Sequence, residues 1–129
     1  MKTRALLVLT LFAILALFSH SAFGASASIS KSVTPMDDGK YLIKLKVTSS
    51  GSDIYGLRLI DPDASIVNVY APRGWCAVTD GEDYLARTSG TPLKSGKAVE
   101  FIIHSTTDKV DYTWSVYGQM KQLGKPEKL

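Results

Sequence analysis

Apolar and polar residues alternate along most of this chain. From Tyr41 to Thr48, one side carries Tyr41, Ile43, Leu45 and Val47; the other carries Leu42, Lys44, Lys46 and Thr48. A period of two marks a half-buried strand of an antiparallel sheet, whereas a helix would scatter the same residues around its axis. The pattern returns at 54–60, 65–71, 97–105 and 112–118, with shorter runs at 28–33, 75–78 and 84–88. It predicts an inward set of Tyr41, Ile43, Leu45, Val47, Leu57, Leu59, Val67, Val69, Val99, Phe101, Ile103, Trp114 and Val116.

Turn chemistry separates the runs. Asp37-Asp38-Gly39 and Asp80-Gly81 are hairpin signals, because Gly readily takes positive φ. Ser49–Asp53, Asp61-Pro62-Asp63, Ala71–Gly74, Ser89–Pro92 and Lys94–Lys97 read as loops. Seven or eight short strands with turn signals about every 8–12 residues predict an all-β fold, an antiparallel β-sandwich over residues 28–118. No amphipathic helix or internal repeat stands out. Residues 119–129, with Gly124, Pro126 and three lysines, read as a flexible basic tail.

The first 24 residues follow another rule. Lys2 and Arg4 precede an apolar run from Ala5 to Phe18, broken only by Thr10, and small residues gather at Ala22, Gly24, Ala25 and Ala27. The run is shorter than the roughly 20 residues that span a bilayer comfortably, so 1–24 reads as a secretory signal peptide cleaved after Gly24 or Ala27. The alternative is an uncleaved anchor. The expected location is secreted or periplasmic, with no stable membrane insertion after cleavage.

That processing changes the charge. The 129-residue chain carries 15 Lys and Arg against 12 Asp and Glu; losing Lys2 and Arg4 leaves 13 against 12. There is no arginine stripe and no basic stretch interleaved with aromatics, so a nucleic-acid partner is not expected.

Cys76 is the single cysteine, which excludes an intramolecular disulfide. Its apolar neighbours, Trp75 and Ala77, predict a buried free thiol. The alternative is an intermolecular disulfide with a partner.

Pro72-Arg73-Gly74-Trp75, then Pro92-Leu93-Lys94-Ser95-Gly96 and Val99-Glu100-Phe101, resembles the layout of bacterial extracellular immunoglobulin-like modules. The resemblance covers Pro72 to Ile103. It implies an immunoglobulin-like sandwich that serves as a binding or spacer module, and it transfers no catalytic residue. The chain departs from antibody-type domains in lacking a cysteine pair between the sheets.

Catalytic chemistry is thin. His104 is the one histidine beyond the leader, and no Gly-x-Ser-x-Gly elbow accompanies it, so no enzyme activity is expected. Copper and zinc sites lack a second histidine, and no phosphate loop is present, so no cofactor is expected. Calcium has oxygen ligands available in Asp61, Asp63, Asp80, Glu82 and Asp83, but acidic residues are common in turns for their own backbone bonds, and no metal is expected.

Aromatic residues offer binding chemistry instead. Trp75 and Trp114 are expected in the core. Tyr70 and Tyr117 lie opposite the main apolar sets of their strands, with Asn68 beside Tyr70, and are the ligand-binding candidates. The sequence therefore points to an exported, non-catalytic module whose partner is another envelope or extracellular protein. The alternative is a carbohydrate-binding module using the exposed rings.

Overall fold

The computed structural model describes residues 19–23, 26–88, 90–119 and 122–129. Residues 1–18, 24 and 25, which hold most of the expected leader, lie outside the described residues.

Ten strands form among them: β1 (Ser19–Phe23), β2 (Ala27–Pro35), β3 (Tyr41–Ser49), β4 (Gly56–Ile60), β5 (Ile66–Tyr70), β6 (Trp75–Asp80), β7 (Asp83–Thr88), β8 (Ala98–Ser105), β9 (Thr113–Tyr117) and β10 (Gln122–Lys128). They make two five-stranded antiparallel sheets, ordered β1-β2-β3-β8-β5 and β10-β9-β4-β7-β6. This is a β-sandwich-like all-β fold.

The alternation read from the sequence sets the packing. Ile43, Leu45 and Val47 of β3 and Phe101 and Ile103 of β8 are buried from the first sheet; Leu57 and Leu59 of β4 and Trp114 and Val116 of β9 are buried from the second. Together with Ile29 and Tyr112 they form one core between the sheets. Val69, Val99 and Trp75 are half-buried against it. Trp75 meets Phe101 edge-on, with ring centroids 5.6 Å apart at 88°.

Turns fall where glycine allows them. The two-residue loop between β6 and β7 has Gly81 at its first position with φ +65°, as a type II′ hairpin requires. Between β2 and β3, Met36 N–H donates to the Lys40 carbonyl at 2.8 Å.

Four expectations change. Beyond the expected leader, which holds β1, the strands among the described residues number nine rather than seven or eight. Val67 is 53% exposed. The cause is a β-bulge: Ile66 pairs with Ser105 and Asn68 with His104, so the extra residue breaks the alternation and turns Val67 outward. The expected tail contains β10, whose Gln122 and Leu123 pair with Tyr117 and Val116, and whose Glu127 and Lys128 pair with Trp114 and Thr113. A register shift between Leu123 and Glu127 hides that strand from a period-two reading. Cys76 is exposed, because it shares β6 with Trp75 and Ala77 but points to the opposite side.

Candidate functional site

The outer face of the second sheet holds the site. Registers place Tyr117, Gly56, Arg87 and Cys76 in one row across β9, β4, β7 and β6. Ser115, Arg58, Leu85 and Val78 make the next row. The inner neighbours in these strands are apolar, so alternation sends Arg58 and Arg87 outward.

Six of these eight residues, all but Cys76 and Ser115, line a concave surface of about 490 Å³, whose walls include Tyr55, Tyr117, Arg58, Arg87, Leu85 and Val78. Gly56 deepens it. A Cβ there would lie 3.4 Å from both the Ala86 carbonyl oxygen and Tyr117 Cβ, and 3.7 Å from Arg87 Cγ. The missing side chain leaves a notch between the first side-chain carbons of Tyr117 and Arg87.

The electrostatics of the two arginines differ. Arg58 Nε donates to Asp83 Oδ1 at 2.8 Å and to Oδ2 at 3.1 Å, and its Nη2 bonds the same carboxylate. Asp83, and next Tyr117, raise the guanidinium further above its usual range, and Arg58 in return holds the Asp83 carboxyl below its ordinary value. Both side chains are more than one-third exposed, so solvent screens the pair. Arg87 is exposed and has no ion-pair partner among the described residues.

The other candidates lie elsewhere. Tyr70 and Asn68 sit on β5 of the first sheet, so the structure does not bring Tyr70 and Tyr117 to one surface. Tyr70, 48% exposed, packs edge-on against His104 at 5.2 Å. The Asn68 Oδ1 accepts a hydrogen bond from the Val69 backbone N–H at 2.9 Å. His104 and Cys76 belong to different sheets.

The acidic residues have separate duties. Asp61 is buried, and its Oδ2 accepts the backbone N–H groups of Ser65 at 2.6 Å and Ile66 at 2.8 Å. The Ser65 hydroxyl adds bonds at 3.2 and 3.3 Å. The carboxylate thus fastens the loop between β4 and β5, in which Ala64 takes φ +51°. Asp63 and Glu82 are exposed, and Asp83 serves Arg58. Asp80 ends β6. No metal-binding group of three such side chains forms among the described residues.

Close to Asp61 lies Tyr112, fully buried. Burial pushes its phenol up to about 12, an effect that the neighbouring Ser105 and Ser65 hydroxyls only partly offset. Its hydroxyl meets no partner in hydrogen-bond geometry among the described residues, and the same holds for Trp114 Nε1.

Sequence reading missed Tyr55, Arg58, Leu85 and Arg87. The sign of Arg58 and Arg87 was there, as lone charges inside apolar strands. Their meeting depends on cross-strand register, which no single segment encodes. Against known proteins, the chain matches no family model and no curated sequence at a significant level.

Proposed function

We propose that this chain is an exported, non-catalytic binding module with an immunoglobulin-like sandwich, and that it docks another envelope or extracellular protein on the outer face of its second sheet. The observation that carries this reading is the concave surface of about 490 Å³, where Tyr55, Tyr117 and Leu85 stand beside Arg58 and Arg87. Tyrosine and arginine beside aliphatic surface are the residue types that dominate protein interfaces. The immunoglobulin-like part rests on strand order. With β1 and the β6–β7 hairpin set aside, β2-β3-β8-β5 faces β10-β9-β4, the order first-second-fifth-fourth opposite seventh-sixth-third.

A carbohydrate ligand is the second reading. It is favoured by Tyr55 and Tyr117 lining the same concavity as the polar residues Arg58, Thr79 and Asp83. One experiment separates the two. The exported protein is immobilised and offered envelope or extracellular protein fractions, and in parallel a glycan array. Saturable protein binding lost in Arg87→Ala and Leu85→Asp, with folding retained, supports the protein reading. Glycan binding lost in Tyr55→Ala and Tyr117→Ala replaces it with the carbohydrate reading. Binding to neither overturns both.

A further inference from the structure

Each sheet ends in a strand whose outer backbone groups need a partner, water or a blocking device. On the first sheet, β5 is short and carries the bulge at Val67. At the other side of that sheet β1 covers β2, and β2 has devices of its own. Lys31 lies on its inward side, with Nζ 3.5 Å from the Val110 carbonyl, and Pro35 ends it. On the second sheet, β10 contains Pro126 and a register shift. With β1 set aside, because Ser19–Phe23 lies within the expected leader, only β6 among the described edges has none of these devices. Its sequence, Trp-Cys-Ala-Val-Thr-Asp, holds no proline or lysine, and all six residues pair with β7 in unbroken register. Its outward side chains include Val78, at 63% the most exposed large hydrophobic of the described chain, and the exposed Cys76.

The charges around β6 are arranged for a copy of itself. Exposed Arg73 lies just before the strand, and Asp80, Gly81 and Glu82 close it. An antiparallel neighbour with the same sequence sets the basic end against the acidic end, twice, by symmetry. A parallel neighbour would place like charges together.

We propose that β6 pairs antiparallel with β6 of a second copy, joining the two five-stranded sheets into one continuous sheet about a twofold axis. Same-face matching requires residues of like parity to oppose each other. Centring the axis on Ala77 keeps most of the strand paired. Cys76 then faces Val78 of the second copy, burying the exposed valine, and Trp75 faces Thr79. The turn that carries Arg73 then meets the end of the second copy's strand that leads into the turn carrying Glu82. In this register the two Cys76 residues are not opposed, so their Cα atoms lie beyond the roughly 7 Å that a disulfide tolerates, and the dimer needs no covalent bond. The inference uses a strand edge, and although Val78 also lines the concave face proposed for ligand docking, Arg73 and Glu82 lie outside that lining, so the charge changes at these two positions separate the two readings.

Sedimentation equilibrium of the protein recovered after export tests it. The expected result is a monomer–dimer equilibrium that persists in reductant and in Cys76→Ser. Val78→Lys should weaken dimerisation at least tenfold, about 1.4 kcal/mol. Arg73→Glu should weaken it, and adding Glu82→Arg should restore it. Val78→Cys places a thiol opposite Cys76 of the second copy, so mild oxidation should give a covalent dimer. Circular dichroism checks that each variant folds. A monomer at every concentration overturns the inference. So does a dimer indifferent to Val78→Lys and to both charge changes, or one that dissolves on reduction.

Discussion

Replacing Asp61 by alanine should be among the most damaging changes available outside the apolar core. The carboxylate is 1% exposed and holds two backbone N–H groups, at 2.6 and 2.8 Å, together with the Ser65 hydroxyl. An alanine leaves both N–H donors buried without an acceptor, at about 1–3 kcal/mol each. Relief of the buried charge offsets part of this, so the expected net loss is about 2–4 kcal/mol. For a domain of this size that lowers the melting midpoint by roughly 10–25 °C. Asp61→Asn is the informative control. Its Oδ1 can still accept both N–H groups, and only the charge assistance disappears, so the loss should be about 1 kcal/mol. Thermal and urea denaturation, followed by circular dichroism, measure both variants. A loss below about 1 kcal/mol for alanine would refute the account of the loop. Equal losses for alanine and asparagine would show that charge, not acceptor geometry, carries the effect. Chelator and added calcium should leave the wild-type midpoint unchanged; a calcium-dependent midpoint would make Asp61 a ligand rather than a clasp.

Tyr112→Phe removes a buried hydroxyl without a hydrogen-bond partner among the described residues, so it should be neutral or stabilise by up to about 1 kcal/mol. With the folded phenol pushed up to about 12, the unfolded chain ionises first. Wild-type stability should therefore fall as pH rises from about 10 towards 12, and Tyr112→Phe should flatten that part of the profile, measured as midpoint against pH. Ala64→Gly relieves a left-handed backbone at φ +51° and should raise stability by about 1 kcal/mol in urea melts; a loss would place the strain elsewhere. Cys76, exposed on β6, should react with a maleimide in the native protein as readily as after denaturation when the chain is dilute enough to be monomeric. Native protection there would contradict its outward placement.

The strands were legible because one residue in two had to be apolar. β3 shows this most clearly, with Ile43, Leu45 and Val47 buried while Lys44 and Lys46 are exposed. What escaped was whatever interrupts that rhythm. The bulge at Val67 shifts one residue and reverses its exposure. β10 lacks the alternation because its bonds to β9 are split by an irregular stretch. Cys76 was misplaced because apolar neighbours on a strand lie on the other face, so adjacency in sequence says little about shared burial. The concave site was hidden for a further reason. Arg58 and Arg87 are 29 positions apart and meet only through the pairing of Gly56 with Arg87 and of Arg58 with Leu85.

The two tryptophans occupy different optical environments. Trp114 is 2% exposed on β9, an interior strand of the second sheet, whereas Trp75 is half-buried on the edge strand, against Phe101 and next to Cys76. Emission from Trp114 is therefore shielded from a water-borne quencher until the sandwich opens, while Trp75 meets the quencher in the folded state. A single unmodified chain thus carries two tryptophan reporters that differ in exposure. One reports on unfolding of the interior, and the other on anything that settles along β6.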